Sequence, residues 1–161
     1  MSDFKFPTEE IDLPSKGIVY PKEHPLSSGK VEIKYMTARE EDILSNQSYI
    51  KKGIVLDKLL NSLLVNKDLN IEDFIVGDKN AVFVAARILG YGKNYDVKIK
   101  GIDHRVDLTE LENTEFDIKG LEQGKNEFVY KSEQTDTVLT YKLLTGKDEK
   151  AIDRELAGLK K

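Results

Sequence analysis

Few residues in this chain could make or break bonds. There are two histidines, His24 and His104, and no cysteine. The histidines stand in separate segments, without the i, i+4 spacing that sets two imidazoles on one helix face around a metal. His24 falls between Pro21 and Pro25 in a loop. Lacking cysteine, the chain has no disulfide, thiolate metal site or thiol nucleophile. Ser45 and Ser48 lie on a helical stretch with no histidine near them in sequence. Carboxylates are abundant, but no pair sits in apolar sequence where burial would split two pKa values for acid–base work. Gly90-Tyr91-Gly92 lacks the third glycine of a dinucleotide fingerprint and closes a helix instead of opening one, and the phosphate-cradling GxxxxGK[ST] pattern is absent. The residues therefore point away from an enzyme, and no catalytic residue, cofactor or metal is assigned.

The charge balance narrows the partners. The 161 residues carry 29 acids against 25 bases, a net charge of −4, with 39% hydrophobic and 34% charged residues. That suffices for one core, or one core and a small appendage, beneath a mixed Lys/Glu surface. A net negative chain is not a general binder of phosphate backbones, so nucleic acid is not the expected partner, although a local basic patch remains open. The start, MSDFKFPTEE, is acidic and lacks the apolar run of a signal peptide. No stretch approaches the roughly 20 apolar residues that span a bilayer. The expectation is a soluble cytosolic product with no membrane partner.

The elements that would position these residues read as an α+β fold. A helical N-terminal half with a short β-hairpin is followed by a small antiparallel β-rich part and a terminal helix. Residues 1–92 would hold the hairpin and a three-helix core. Residues 93–161 would hold the β-rich subdomain, either separate from the first unit or continuous with it. Residues 1–16 look extended and unable to support themselves, with Pro7 and Pro14 barring a helix. Phe4 and Phe6 there would plug into this chain's own core, the favoured reading, or arm a contact with a partner. Gly17 closes a Pro-Ser-Lys-Gly turn ahead of a short strand, Gly17–Tyr20. Lys30–Met36 then alternates, with Val31, Ile33 and Tyr35 on one face.

Thr37 and Glu40 form a capping box: the hydroxyl accepts a helical N–H and the carboxylate reaches back to the Thr37 amide. With Glu41 and Asp42 the acids read as a solvated cap rather than a metal site. This helix runs to Gly53, which should take a left-handed conformation between helices. Leucines at 56, 59, 60, 63 and 64 then give an apolar face, read as core, with a homo-oligomer seam as the other option. Residues 73–76 suggest a turn of helix ending at Gly77, after which Asp78 would cap a helix terminated by Gly90 and Gly92. Asp57 and Arg87 are charges on apolar helices. They would either fix register as a bidentate pair or snorkel to solvent.

A hairpin follows, its polar turn reading Gly101 to Arg105. At that tip His104 and Arg105 are candidates for an interface ion pair, with surface exposure as the plainer reading. Two more strands are expected at 126–131 and 137–144, and Thr145 with Asp148 opens the terminal helix with a second capping box.

Four segments taken in order carry a resemblance: LPSKGIVY (13–20), IKYMTAREEDILSN (33–46), GIVLDKLLNSLL (53–64) and GDKNAVFVAARILGYGKNYDV (77–97). Together they resemble the baseplate-hub subunit and hub-assembly family of T-even-like contractile-tailed phages. The stretch LLTGKDEKAI (143–152) is similar to that family as well. The resemblance implies a non-enzymatic protein that binds other phage baseplate or tail proteins during hub assembly. It implies residence in the host-cell cytoplasm during assembly, and in the virion if the chain is a structural subunit. It further implies chain beyond the terminal helix, and a zinc-ribbon-like turn with paired cysteines. Here that turn reads Lys100-Gly-Ile-Asp-His-Arg105, so the metal is not carried over. The alternative class is a small regulatory module binding a ligand or nucleic acid, which a basic, aromatic-studded strand face would favour.

Overall fold

The structure, a computed structural model, describes residues 7–112 and 117–159. Among these the chain is α+β, with three two-stranded antiparallel hairpins and five α-helices. The first hairpin pairs β1 (Thr8–Asp12) with β2 (Lys30–Lys34), setting Ile11 opposite Val31. Two expectations are corrected here. Residues 8–12 are a paired strand instead of part of an unsupported tail, and 17–20 are turns instead of a strand. Lys16 and Gly17 both have positive φ, +52° and +77°, which a strand cannot accommodate. The amide of Leu13 donates to Gly29 O at 2.7 Å, closing residues 13–29 into a loop. That loop satisfies its own backbone, with Lys16, Ile18 and Tyr20 amides donating to Leu13, Ser15 and Gly17 carbonyls. It also brings Leu13, Val19, Tyr20 and Leu26 into the core.

In β2 the alternation places Val31 and Ile33 inside, with Lys30 and Glu32 outside. α1 (Ala38–Ser45) does not continue to Gly53. It stops at Asn46, whose side-chain oxygen accepts the Ser48 and Tyr49 amides at 3.0 and 3.1 Å and starts α2 (Gln47–Lys51). Asparagine is among the best N-caps, so a new helix start outcompetes continuation. Gly53 has φ +67° and leads into α3 (Val55–Leu63). Leu59, Leu60, Leu63 and Leu64 are buried, while Leu56 is 43% exposed.

After a 3-10 turn at Ile71–Asp73, Phe74 and Ile75 are extended, and α4 (Val76–Tyr91) begins without a side-chain cap. The expected helical turn ending at Gly77 and the Asp78 cap are both corrected. Ile75 pairs with Thr145; the Val76 amide donates to Leu144 O at 2.8 Å and the Gly146 amide to Phe74 O at 3.1 Å. A contact distant in sequence thus sets this helix boundary. Gly90 lies inside α4, and Gly92 (φ +81°) ends it.

The second hairpin joins β3 (Asn94–Ile99) to β4 (Ile102–Asp107) through Lys100-Gly101 alone. Both turn residues have positive φ, +50° and +84°, the twist-matched two-residue hairpin geometry. β5 (Phe128–Lys131) pairs with β6 (Val138–Tyr141), and α5 (Gly146–Leu159) follows. The buried hydrophobic side chains run from Leu13 to Ala86, and Phe128 packs against them from the C-terminal half. Gln123 ties the two halves, its amide nitrogen donating to Gly17 O at 2.9 Å and Tyr20 O at 2.7 Å.

Candidate functional site

Three carboxylates are buried, each on a different helix, and each is saturated within the chain. Asp78 is fully enclosed. It accepts the Ser15 amide at 3.0 Å, the Ser15 hydroxyl at 2.7 Å and the Tyr20 hydroxyl at 2.7 Å. The Tyr20 oxygen in turn accepts the Ile75 amide at 3.0 Å. Burial, then the Asp78 charge, pushes the Tyr20 phenol well above its ordinary range, so it stays a donor. Asp78 lies in the first turn of α4, where the helix dipole favours an anion. Its place in the fold is to lock the 13–20 loop onto α4. The tyrosine of LPSKGIVY is the sequence signal for this node, but its partner sits 58 residues away.

Glu40 is fully enclosed too, which corrects the reading of a solvated cap; Glu41 and Asp42 are the exposed members. The Thr37 amide and hydroxyl donate to it at 3.0 and 2.6 Å, completing the capping box. Lys34 adds an ion pair at 2.7 Å, and the Ser62 hydroxyl a bond at 2.6 Å. Burial would raise the carboxyl pKa, but these donors outweigh it and hold the group down at about 2. Glu40 therefore joins β2, α1 and α3 as a permanent anion.

Asp57 does not meet Arg87. Lys79 reaches it at 3.0 Å and Lys150 at 2.7 Å, and Lys150 also binds Glu72 at 2.6 Å. Arg87 instead donates to Gly92 O at 3.1 Å and lies over the Tyr91 and Tyr95 rings, 5.1 and 5.8 Å from their centroids. It holds the end of α4 to the start of β3. Gly17 and Gly90 mark close approaches. A Cβ at Gly17 would lie 2.5 Å from Ser27 O, and one at Gly90 would run into the Met36 side chain.

His104 and Arg105 are not at a hairpin tip. They lie within β4, opposite Val97 and Asp96. Arg105 pairs with Asp96 inside the same ribbon, at 2.7 and 3.2 Å. That face also holds the Lys98–Asp103 pair at 3.3 Å. The opposite face carries Tyr95, Ile99 and Ile102, which are 46%, 52% and 64% exposed. Pairing consumes the charge of the ribbon and leaves an apolar face outward. β5–β6 likewise exposes Val129, Tyr130, Val138 and Leu139, and α5 exposes Ile152, Leu156 and Leu159 at helical spacing. The residues after position 93 thus make ordered elements whose apolar side chains lie largely outside the core. Phe4 and Phe6 lie outside the described residues.

Two of the openings in the surface adjoin the buried carboxylates Asp78 and Glu40. One, of about 530 Å³, is lined by Ile18, Phe128, Tyr141 and Leu143, with the saturated Asp78 among its walls. The other, of about 1220 Å³, runs between β2, α1 and α3. Among the described residues no group of three His, Asp or Glu side chains could hold a metal ion, and no helix is long and apolar enough to cross a membrane. Compared with known proteins, the chain matches no family model, no curated protein and no solved structure.

Proposed function

We propose that this chain works without catalysis, by binding other proteins during assembly of the baseplate hub of a contractile phage tail. It would do so as a hub subunit or as an assembly factor in the host-cell cytoplasm. The observation that carries the protein-binding part is the outward apolar surface of β3–β4, β5–β6 and α5. Isolated two-stranded ribbons are marginal in water. Large apolar side chains exposed on several ordered elements are surface open to a partner. The phage assignment rests on the resemblance of residues 13–20, 33–46, 53–64 and 77–97. High charge content and a small core favour an assembly factor, whose interfaces are smaller and more polar than those of a permanent subunit.

Quantitative mass spectrometry of mature particles and of tail intermediates from one infection tests this. A fixed ratio to tube protein in both preparations means a hub subunit. Presence in intermediates alone means an assembly factor. Absence from both, despite expression, overturns the assignment.

A further inference from the structure

Strand edges carry unused hydrogen-bonding groups, and the β3–β4 ribbon is open along β4. Among the described residues no strand pairs with the outer side of β4, and Ile102 to Arg105 are exposed. The Leu108 amide donates to Lys93 O at 2.9 Å, which extends the ladder and fixes its phase. Even-numbered residues of β4 bond to β3, so Asp103 and Arg105 point their amides and carbonyls outward. Their side chains lie on one face, each beside an opposite charge of β3: Asp103 by Lys98 at 3.3 Å and Arg105 by Asp96 at 2.7 Å. The other edges are poorer templates. Arg87 lies against the start of β3, 3.1 Å from Gly92 O and 3.5 Å from Asn94 O, and Val97 at its centre is half-buried. β2 is bridged to Leu64, β1 carries only acids at Glu9, Glu10 and Asp12, and β5–β6 hold a single charge, Lys131.

We propose that β4 pairs antiparallel with β4 of a second copy of this chain, about a two-fold axis at His104. The residues around that axis, Ile102-Asp-His-Arg-Val106, are complementary to themselves. Asp103 meets Arg105 of the second copy and Arg105 meets its Asp103, each pair exchanging two backbone hydrogen bonds. On the polar face, charge then alternates across four strands: Asp96, Arg105, then Asp103 and Lys98 of the second copy. On the other face Tyr95 and Val106 line up with Ile102 and Ile99 of the second copy. Only shifts by two residues keep each face together. One such shift sets Asp103 against itself; the other sets Arg105 against itself and Asp103 against Asp107. Charge thus selects both the occupant and the register. The pairing turns a marginal two-stranded ribbon into a four-stranded sheet with one continuous apolar face. It goes beyond the reading of the chain as a hub protein and does not depend on it.

The test uses the full chain, which has no cysteine of its own. Sedimentation velocity is expected to show a monomer–dimer equilibrium that moves toward dimer as concentration rises. D103K and R105E each turn two unlike cross-strand pairs into like ones and should weaken the dimer about ten-fold. Mixed in equal amounts they should restore it, because every new charge then faces its opposite. His104 opposes itself in a non-hydrogen-bonded pair, with Cα atoms about 4.5 Å apart, within disulfide reach. H104C should therefore oxidise to a cross-linked dimer, and V97C, at the centre of β3, should not. A monomer at every concentration, undiminished association of the charge variants or no rescue on mixing would overturn the proposal. So would cross-linking through V97C as readily as through H104C, or open-ended assemblies where a two-fold contact must close. If a charge variant loses the ribbon, seen in its amide resonances, H104C decides alone. A monomeric chain that mass spectrometry still finds in tail intermediates keeps the hub reading and loses this interface. A dimer absent from both preparations keeps the interface and loses the phage assignment.

Discussion

At the scale of single residues, buried polar atoms decide more than apolar ones. Tyr20 donates to Asp78 and accepts from Ile75, so Tyr20→Phe strands a buried amide and one carboxylate site. The expected loss is about 1–3 kcal/mol in urea denaturation, although the ring and its packing remain. Two glycines separate conformational cost from crowding. Gly17 and Gly53 have similar φ, +77° and +67°, but an added Cβ meets backbone only at Gly17. Gly53→Ala should cost about 1 kcal/mol, and Gly17→Ala distinctly more, by the same assay. Equal losses would show that the loop can give way. Gly17 and Gly53 were legible as turn and interhelix positions because chain direction must reverse there. The Tyr20–Asp78 bond was not, because neither residue has a local signature of its partner.

At the scale of elements, most boundaries follow from local chemistry, and the exceptions have distant causes. Thr37 and Asn46 start helices because their side chains serve orphan amides or the acid that does so. Thr37→Ala, which removes the bond to Glu40, should lower stability by about 1 kcal/mol, a melting-temperature drop of roughly 2–4 °C for a chain of this size. An unchanged melting temperature would remove the cap from the account. α4 starts earlier than Asp78 suggested because Phe74–Val76 pair with residues 144–146, which no local pattern announces. α5 buries no large side chain. Its first turns are held by Lys150 to Asp57 and Glu72, by Lys79 to Glu149, and by an ion pair between Lys147 and Asp73. Lys150→Ala should therefore speed amide exchange in residues 146–159 and leave α3 and α4 protected. Faster exchange across the whole chain would mean that α5 is integral to the core.

At the scale of the whole molecule, acid stability follows from the carboxylates that span elements. Glu40 is held at about 2, below the ordinary carboxylate value of about 4.3. Asp57 is shifted down too: burial opposes its charge, but Lys150 and Lys79 prevail. A depressed folded pKa contributes stability that is present above the unfolded value and is lost as pH falls through the folded one. Urea midpoints should thus hold above about pH 5 and decline steadily down to about pH 2. Glu40→Gln should start lower and show a shallower decline. A parallel decline would assign the acid sensitivity elsewhere.

Local chemistry in the sequence was enough for the α+β class, the alternating strand at 30–34, the capping boxes at Thr37 and Thr145, and the leucine face of α3. Each rests on side chains within one or two turns of each other. Tertiary structure alone decided that β1 pairs with β2 around a closed loop, that Glu40 and Asp78 are buried, and that Asp57 is held by lysines in place of Arg87. It also decided that Arg39 and Lys58, which form no ion pair among the described residues, line one cleft. Periodicity reports which face of an element is apolar. Which charged groups end up neighbours depends on how the elements are stacked, and sequence spacing carries no record of that.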